Sequence, residues 1–165
     1  MAALENTAVT LDDGKRAITP RGNMILAKGD RMIISFAWTV DAVLDGRKTC
    51  TRRQWKERYS QQWVKAWRDG RLIHDAWDKL PRAGGQKVAR IELTCEPYHQ
   101  ALRDMPPDDL VAEGGYWSSL EEFTELLGGD PDKVVTVVRF QVVTVFVPRG
   151  NLVELWEGMS DDHKS

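Results

Sequence analysis

The chain has 165 residues, 42% of them hydrophobic, and a formal net charge of −2. That is enough for one domain with its own core, without disulfide or metal staples, and too apolar for a disordered chain. The longest apolar stretch, Val134 to Val147, is interrupted by Arg139 and Gln141 and falls short of the roughly 18 apolar residues of a membrane span.

The near-neutral total hides an asymmetry. Residues 31–90 carry 14 Lys/Arg against 6 Asp/Glu, whereas residues 91–165 carry 5 against 15. Either the basic segment presents a local positive field, or the two halves neutralise each other across the fold. Two cysteines, Cys50 and Cys95, do not make a disulfide framework, and a reducing cytoplasmic setting is expected. Residues 1–13 hold acids and no apolar segment, so they do not read as a secretory signal.

Residues 1–22 read as a flexible N-terminal arm, broken by Asp12-Asp13-Gly14 and Pro20-Arg21-Gly22. Met32 to Phe36 is a short apolar strand. Trp38 to Asp45 reads as a short helix, with Thr39 as N-cap, Trp38, Ala42 and Val43 at helical spacing on its apolar face, and Gly46 at the C-terminal end. Thr49 to Arg53 predicts a second strand. In Gln54 to Asp69, Trp55, Tyr59, Trp63 and Trp67 recur every four residues and make an aromatic helix face that belongs in a core. Gly70, Pro81 and Gly84-Gly85 break up the stretch that follows. Lys87 to Thr94 alternates and reads as a strand. A short helix is expected from Pro106-Pro107 to Glu113, and another over Leu120–Leu127, opened by the capping-box pattern of Ser118, Ser119, Glu121 and Glu122. Val134 to Val147 closes the pattern as one bent strand or two. The tail 151–165 follows. Short helices between strands of mixed length indicate an α+β fold.

The run from Ile33 to Arg53 carries more than periodicity. A strand and a short helix lead into Gly46, Lys48, Thr51 and Arg53, spaced as G-x-K-x-x-T-x-R. Farther on come Glu113-Gly114, Ser118 or Ser119, Glu122-Phe123, and the strand around Arg139-Phe140. In this order the motifs resemble those of ASCH domains in the PUA-like superfamily, over about residues 32–145. The resemblance implies a PUA-like β-barrel decorated with short helices over 23–150, with a helical, tryptophan-rich insert at about 54–85 that compact relatives lack. It also implies a basic cleft for RNA or a modified nucleoside. Compact ASCH enzymes hydrolyse N4-acetylcytidine with a lysine, a threonine and a glutamate, which correspond to Lys48, Thr51 and Glu113.

The residues suit that chemistry. A threonine hydroxyl needs a base to become a nucleophile, and lysine serves as one only when neutral. Lys48 and Thr51 are an odd number of residues apart, so in a regular strand they would face opposite ways. Irregular backbone is therefore expected at Arg47–Cys50. Arg53 offers a planar fork for a phosphate or a base edge, or an ion pair with the acidic half. Ser35 and Trp38 flank the first helix, and Trp38 either stacks on a base or packs that helix. Arg47, Arg52 and Lys56 are candidates for nucleic-acid backbone contacts.

Cys50 among basic residues reads as a core cysteine or an activated thiol. Cys95 and His99 form one isolated pair without zinc spacing, and there is no P-loop or strand-linked G-x-G-x-x-G. Three functions follow as expectations: an RNA- or nucleoside-binding module, a small amidohydrolase acting on N4-acylcytidine-like amides, and a ribonuclease. None calls for a cofactor, a metal or a membrane partner.

Overall fold

The structure, a computed structural model, describes residues 31–146 and two short strand stretches before them, Ala17–Ile18 (β1) and Met24–Ile25 (β2), which pair antiparallel. Apart from those stretches the expected arm 1–22 lies outside the described residues, as does the tail 151–165.

The fold is α+β, with a curled half-barrel sheet and a few short helices. Its strands are β3 (Ile33–Ser35), β4 (Cys50–Arg53), β5 (Ile73–Trp77), β6 (Lys87–Leu93), β7 (Tyr98–Ala101) and β8 (Val134–Val145). The order is β3-β5-β6-β8-β4, and β7 pairs separately with β8. Strand β8 organises this sheet. Its first half lies between β4 (Thr51 opposite Val138) and β7 (Tyr98 opposite Val137), and its second half pairs with β6 (Leu93 opposite Phe140). Bulges at Ala76/Trp77 in the β5–β6 pair and at Arg90/Ile91 in the β6–β8 pair bend the strands, as bulges do.

The curl leaves β3 and β4 as the two outer strands of the main sheet path. The Arg53 guanidinium on β4 bridges this seam, donating from Nη2 to the Ser35 carbonyl of β3 at 2.6 Å. The chain crosses from β3 to β4 through a single 3₁₀ turn, Ala37–Thr39, and α1 (Val40–Leu44).

That crossing departs from the expected helix. Thr39 does not cap α1; its hydroxyl donates back to the Phe36 carbonyl at 2.7 Å. Ala37 has φ +48°, a left-handed conformation uncommon for a residue with a side chain. This tight turn puts Trp38 outside, 58% exposed, while Ala42 and Val43 are fully buried.

Helix α2 (Glu57–Arg68) buries its aromatic face as the pattern requires. Trp63 is fully buried, and Trp55, Tyr59 and Trp67 pack around the same core with Ile34, Phe36, Val43, Ile91, Val138 and Phe140. The stretch 54–85, read as a helical insert, is only partly helical. It contains β5, which pairs parallel with β3 and antiparallel with β6, so it contributes a strand to the sheet.

The loop side carries α3 (Asp109–Ala112) and α4 (Leu120–Leu126). The α3 helix is shorter than Pro106 to Glu113 suggests. The capping box opens α4 as expected: the Ser119 hydroxyl accepts from Glu122 N at 3.1 Å, and the Glu122 carboxylate accepts from Ser118 N and Oγ. Phe123 of α4 joins Leu102, Met105 and Val135 in a second, smaller core.

Candidate functional site

A cleft of about 360 Å³ opens beside the seam. Its polar floor is Lys48, Thr51, Arg52, Arg53 and Glu113, and its apolar wall includes Phe36, Trp38, Trp117 and Phe123. The volume falls in the range of small-ligand sites.

Lys48 reaches the floor because the chain is not yet a strand there. Arg47 to Thr49 have no regular structure, and β4 begins only at Cys50. The irregular backbone expected at Arg47–Cys50 is present over Arg47–Thr49, while Cys50 already belongs to β4. Two backbone bonds fix it: Lys48 N donates to Ala42 O at 2.9 Å, and Thr49 N to Ala112 O at 2.8 Å. β4 is an outer strand of the main sheet, so side chains of both parities border the cleft.

Those side chains fall into two connected sets. The first is centred on Glu113, which is buried just after α3. Its Oε2 accepts from Lys48 Nζ at 2.9 Å and its Oε1 from Arg52 Nη1 at 3.1 Å. Lys48 Nζ also donates to the Glu113 carbonyl at 2.7 Å. Gly114 makes this approach possible. It has φ +123°, and a Cβ there would sit 2.6 Å from the Tyr116 ring and 3.2 Å from Ala42 Cβ. Behind Glu113, Arg52 Nη2 donates to Asp109 Oδ2 at 2.5 Å and to Gln100 Oε1 at 2.8 Å, and Arg139 donates to both Asp109 oxygens.

The second set is Thr51 and Arg53, on the other face of β4. Arg53 Nε donates to the Thr51 hydroxyl at 3.0 Å, and the guanidinium lies 5.4 Å from the Phe36 ring centre. No hydrogen bond joins Lys48 to Thr51 among the described residues.

Burial acts on these groups in different directions. It pulls Lys48 below the usual lysine value, only partly opposed by the Glu113 carboxylate. Burial would raise Asp109, but hydrogen bonds from Arg139 and Arg52 outweigh it and hold this carboxyl below its ordinary range. Burial pushes the Cys50 thiol up to about 12, so at neutral pH it is a protonated core residue and not an activated nucleophile.

Trp38 is the exposed rim. Its ring meets Tyr116 at 5.0 Å and Trp117 at 5.6 Å, both edge-on, and Trp117 meets Phe123 at 4.7 Å. The aromatic wall thus runs from the surface to the second core. Ser35 lines the opposite side, with its carbonyl held by Arg53.

No family model matches the chain, and no curated protein matches it. Among solved structures it is similar to the crystal structure of protein EF3133 from Enterococcus faecalis V583, of family-model DUF984. The identity is 18%, the match covers 74% of this chain and 86% of that one, and the TM-score is 0.48. A likeness this distant bears on neither the ligand nor the chemistry.

The cleft therefore brings together Lys48, Thr51, Arg53, Glu113, Ser35 and Trp38. Arg52 needs correction. Its side chain is 0% exposed and committed to Glu113, Asp109 and Gln100, so it is an internal strut and not a contact for a nucleic-acid backbone. Arg47 stays at the surface, paired with Asp45 at 2.6 Å and donating to the Gly114 carbonyl. Lys56 is exposed just before α2 and does not line the cleft. Sequence reasoning missed Trp117 and Asp109, and had Phe123 only as part of the Glu122-Phe123 motif and not as a wall of the cleft. The Gly114-Gly115-Tyr116-Trp117 run was the available signal, because two glycines before two aromatics mark a turn that displays rings.

Among the described residues no group of three or more His, Cys, Asp or Glu is placed to hold a metal ion, and His99 is paired with Glu57 at 3.0 Å. No helix among them is long and apolar enough to cross a membrane.

Proposed function

We propose that the chain is an ASCH domain with a PUA-like barrel, and that its cleft recognises a modified nucleoside, free or within single-stranded RNA. One observation carries this reading: a polar floor and an aromatic rim converge on a single nucleoside-sized space. Trp38 and Trp117 offer ring surfaces against which a base can lie. The Glu113 carboxylate, steadied by Lys48 and Arg52, keeps lone pairs that accept from an exocyclic amine such as the amino edge of cytosine. For a longer RNA, Arg47 next to the rim is the surface cation available to a neighbouring phosphate.

Calorimetric titration of the purified protein with cytidine and N4-acetylcytidine tests the reading. Binding is expected, and Trp38→Ala should weaken it by about 1–3 kcal/mol, the usual worth of one base–aromatic stack. Absence of binding by a well-folded protein would sink the reading.

A second reading, amidohydrolysis, is favoured by a specific feature. Burial holds Lys48 toward its neutral form, and Thr51, which accepts from Arg53, keeps its own proton to give away. In that case neutral Lys48 takes a proton from the Thr51 hydroxyl, or from water positioned there, as that oxygen attacks an N4-acyl carbonyl, and returns it to the cytosine amine as the C–N bond breaks; attack by water frees the carboxylic acid directly, whereas attack by Thr51 leaves an acyl ester that a second water then hydrolyses. The cleft must first bring Lys48 and Thr51 into contact. Mass spectrometry on N4-acylated cytidines decides between the readings. Release of cytidine by wild type, lost in a folded Lys48→Ala variant, would mark an enzyme; binding without release would mark a recognition module.

A further inference from the structure

The charges that line the cleft do not balance. Lys48, Arg52 and Arg53 face a single carboxylate, Glu113. Lys48 and Arg52 share that carboxylate, and Arg52 also shares Asp109 with Arg139. Arg53 differs from all three. Among the described residues it makes no ion pair, and both of its partners are neutral oxygens, the Thr51 hydroxyl and the Ser35 carbonyl. Nε and Nη2 make those bonds, none is made by Nη1 among the described residues, and the side chain borders the cleft.

The imbalance does not depend on the state of Lys48. With Lys48 neutral, Arg52 and Arg53 still outnumber Glu113. Nor does arginine escape by losing its proton, since its guanidinium stays charged in proteins. A half-buried cation with no anion in contact is costly, and the Phe36 ring near Arg53 offsets only part of that cost.

We propose that the ligand of this cleft carries an oxyanion, a phosphate monoester or a carboxylate, seated on the free edge of Arg53. The rest of the ligand is the nucleoside of the reading above, on which this inference rests, so a nucleoside monophosphate is favoured over the free nucleoside. The unpartnered Nη1 and the unused hydrogen of Nη2 form the fork that takes two oxygens of such a group. Thr51 adds a third donor, because its oxygen already accepts from Arg53 and its proton is free to point toward the same oxyanion. Glu113, held on the other set of side chains by Lys48 and Arg52, stays available for the base.

The test compares cytidine, cytidine 5′-monophosphate, inorganic phosphate and sodium acetate by calorimetry and thermal melting, with sodium chloride controls matched in ionic strength. The monophosphate should bind at least about tenfold more tightly than cytidine, the worth of one charge-assisted hydrogen bond. That advantage should shrink from about 50 to about 500 mM salt as screening grows. In Arg53→Gln it should largely vanish. If that variant fails to fold because the seam opens, the wild-type ratio and its salt dependence still decide. A carboxylate ligand would show as melting raised by acetate and not by phosphate. If phosphate or acetate raises the melting temperature while no nucleoside binds, the oxyanion stands and the nucleoside reading falls. Equal affinity for cytidine and its monophosphate, with no response to either small anion, overturns this inference and leaves the nucleoside reading intact. No binding by any of the four overturns both.

Discussion

The ionic network under the cleft and the ion pairs along α2 use the same residue types at the same distances. Lys48 and Glu113 meet at 2.9 Å with both side chains 3% exposed, whereas Lys65 and Asp69 meet at 2.6 Å with side chains 69% and 41% exposed. Distance does not separate them; water does. On α2 each partner keeps most of its hydration, and contact adds little. Under the cleft both charges have left water, so each depends on the other, and removal of one strands its partner. A distance-based count of ion pairs treats these two regions as equal. Their consequences differ by an order of magnitude.

The largest effect is expected from Arg52→Ala, which leaves Glu113 and Asp109 buried with fewer donors. Urea unfolding should show a loss of about 3–5 kcal/mol, the usual cost of breaking a buried pair by removing one partner. A loss under about 1 kcal/mol would place the network with the surface pairs and erase the contrast.

His74 sharpens the comparison by showing another way to bury an ionisable group. It is fully buried against Trp63, with Nδ1 accepting from Met32 N at 3.0 Å and Nε2 donating to the Arg71 carbonyl at 2.8 Å. Both ring nitrogens are satisfied in the neutral form, and burial pushes the pKa from 6.5 down to about 4. Arg52, Asp109 and Arg139 of the network stay charged by pairing; His74 stays buried by remaining neutral. Above pH 6.5 the shift has no effect on stability. Below it the unfolded chain takes a proton that the folded chain refuses, so stability should fall by roughly 3 kcal/mol between pH 6.5 and 4. Asp109 adds its own loss only at lower pH, as the medium passes through its depressed folded value. Unfolding measured at pH 7 and pH 4.5 in wild type and His74→Gln checks this: the variant should lose the steep part of the slope. The smallest effect is expected from Lys65→Ala on α2, less than about 0.5 kcal/mol by the same urea assay.

Much of this was legible in the chain because local chemistry decided it. The aromatic spacing of α2, the Ser119–Glu122 cap and the long β-branched run of β8 each state their structure without reference to anything distant. Strand β5 does not. His74 and Asp75 interrupt its apolar character, and their burial depends on partners outside the strand: Arg71 O nearby and Met32 N far earlier for the imidazole, Lys87 and Arg90 on the next strand for the carboxylate. Strand β7 is short and polar, and it is a strand because β8 offers it an edge.

At the site, the spacing from Gly46 to Arg53 and the Glu113-Gly114 pair pointed to the floor. The wall was largely hidden, because Trp117 has the pattern of an ordinary core residue and the Glu122-Phe123 motif does not say that its ring faces the cleft. Arg52 misled for a related reason. A basic residue in a basic run reads as surface charge until Glu113 and Asp109 are folded beneath it. The overall asymmetry resolves in part the same way, with Lys48, Arg52 and Arg68 of the basic half bound to Glu113, Asp109 and Glu96 of the acidic half.

The position of β8 in the sheet also sets how the protein folds. Among the described residues every strand that pairs with it precedes it in the chain, and β4, which lies far earlier, meets it across most of the described sequence. No short hairpin can nucleate the sheet around β8, because even its nearest partner, β7, is separated from it by α3 and α4; helix α2 can form early, but β4, β6 and β7 lack their shared partner until β8 docks. Sheets built on such distant pairings fold in milliseconds to seconds, with loop-closure entropy spent before most contacts repay it. During that wait β4 and β6 have open edges, and the concentration at which refolding begins to compete with aggregation is set by how quickly β8 arrives.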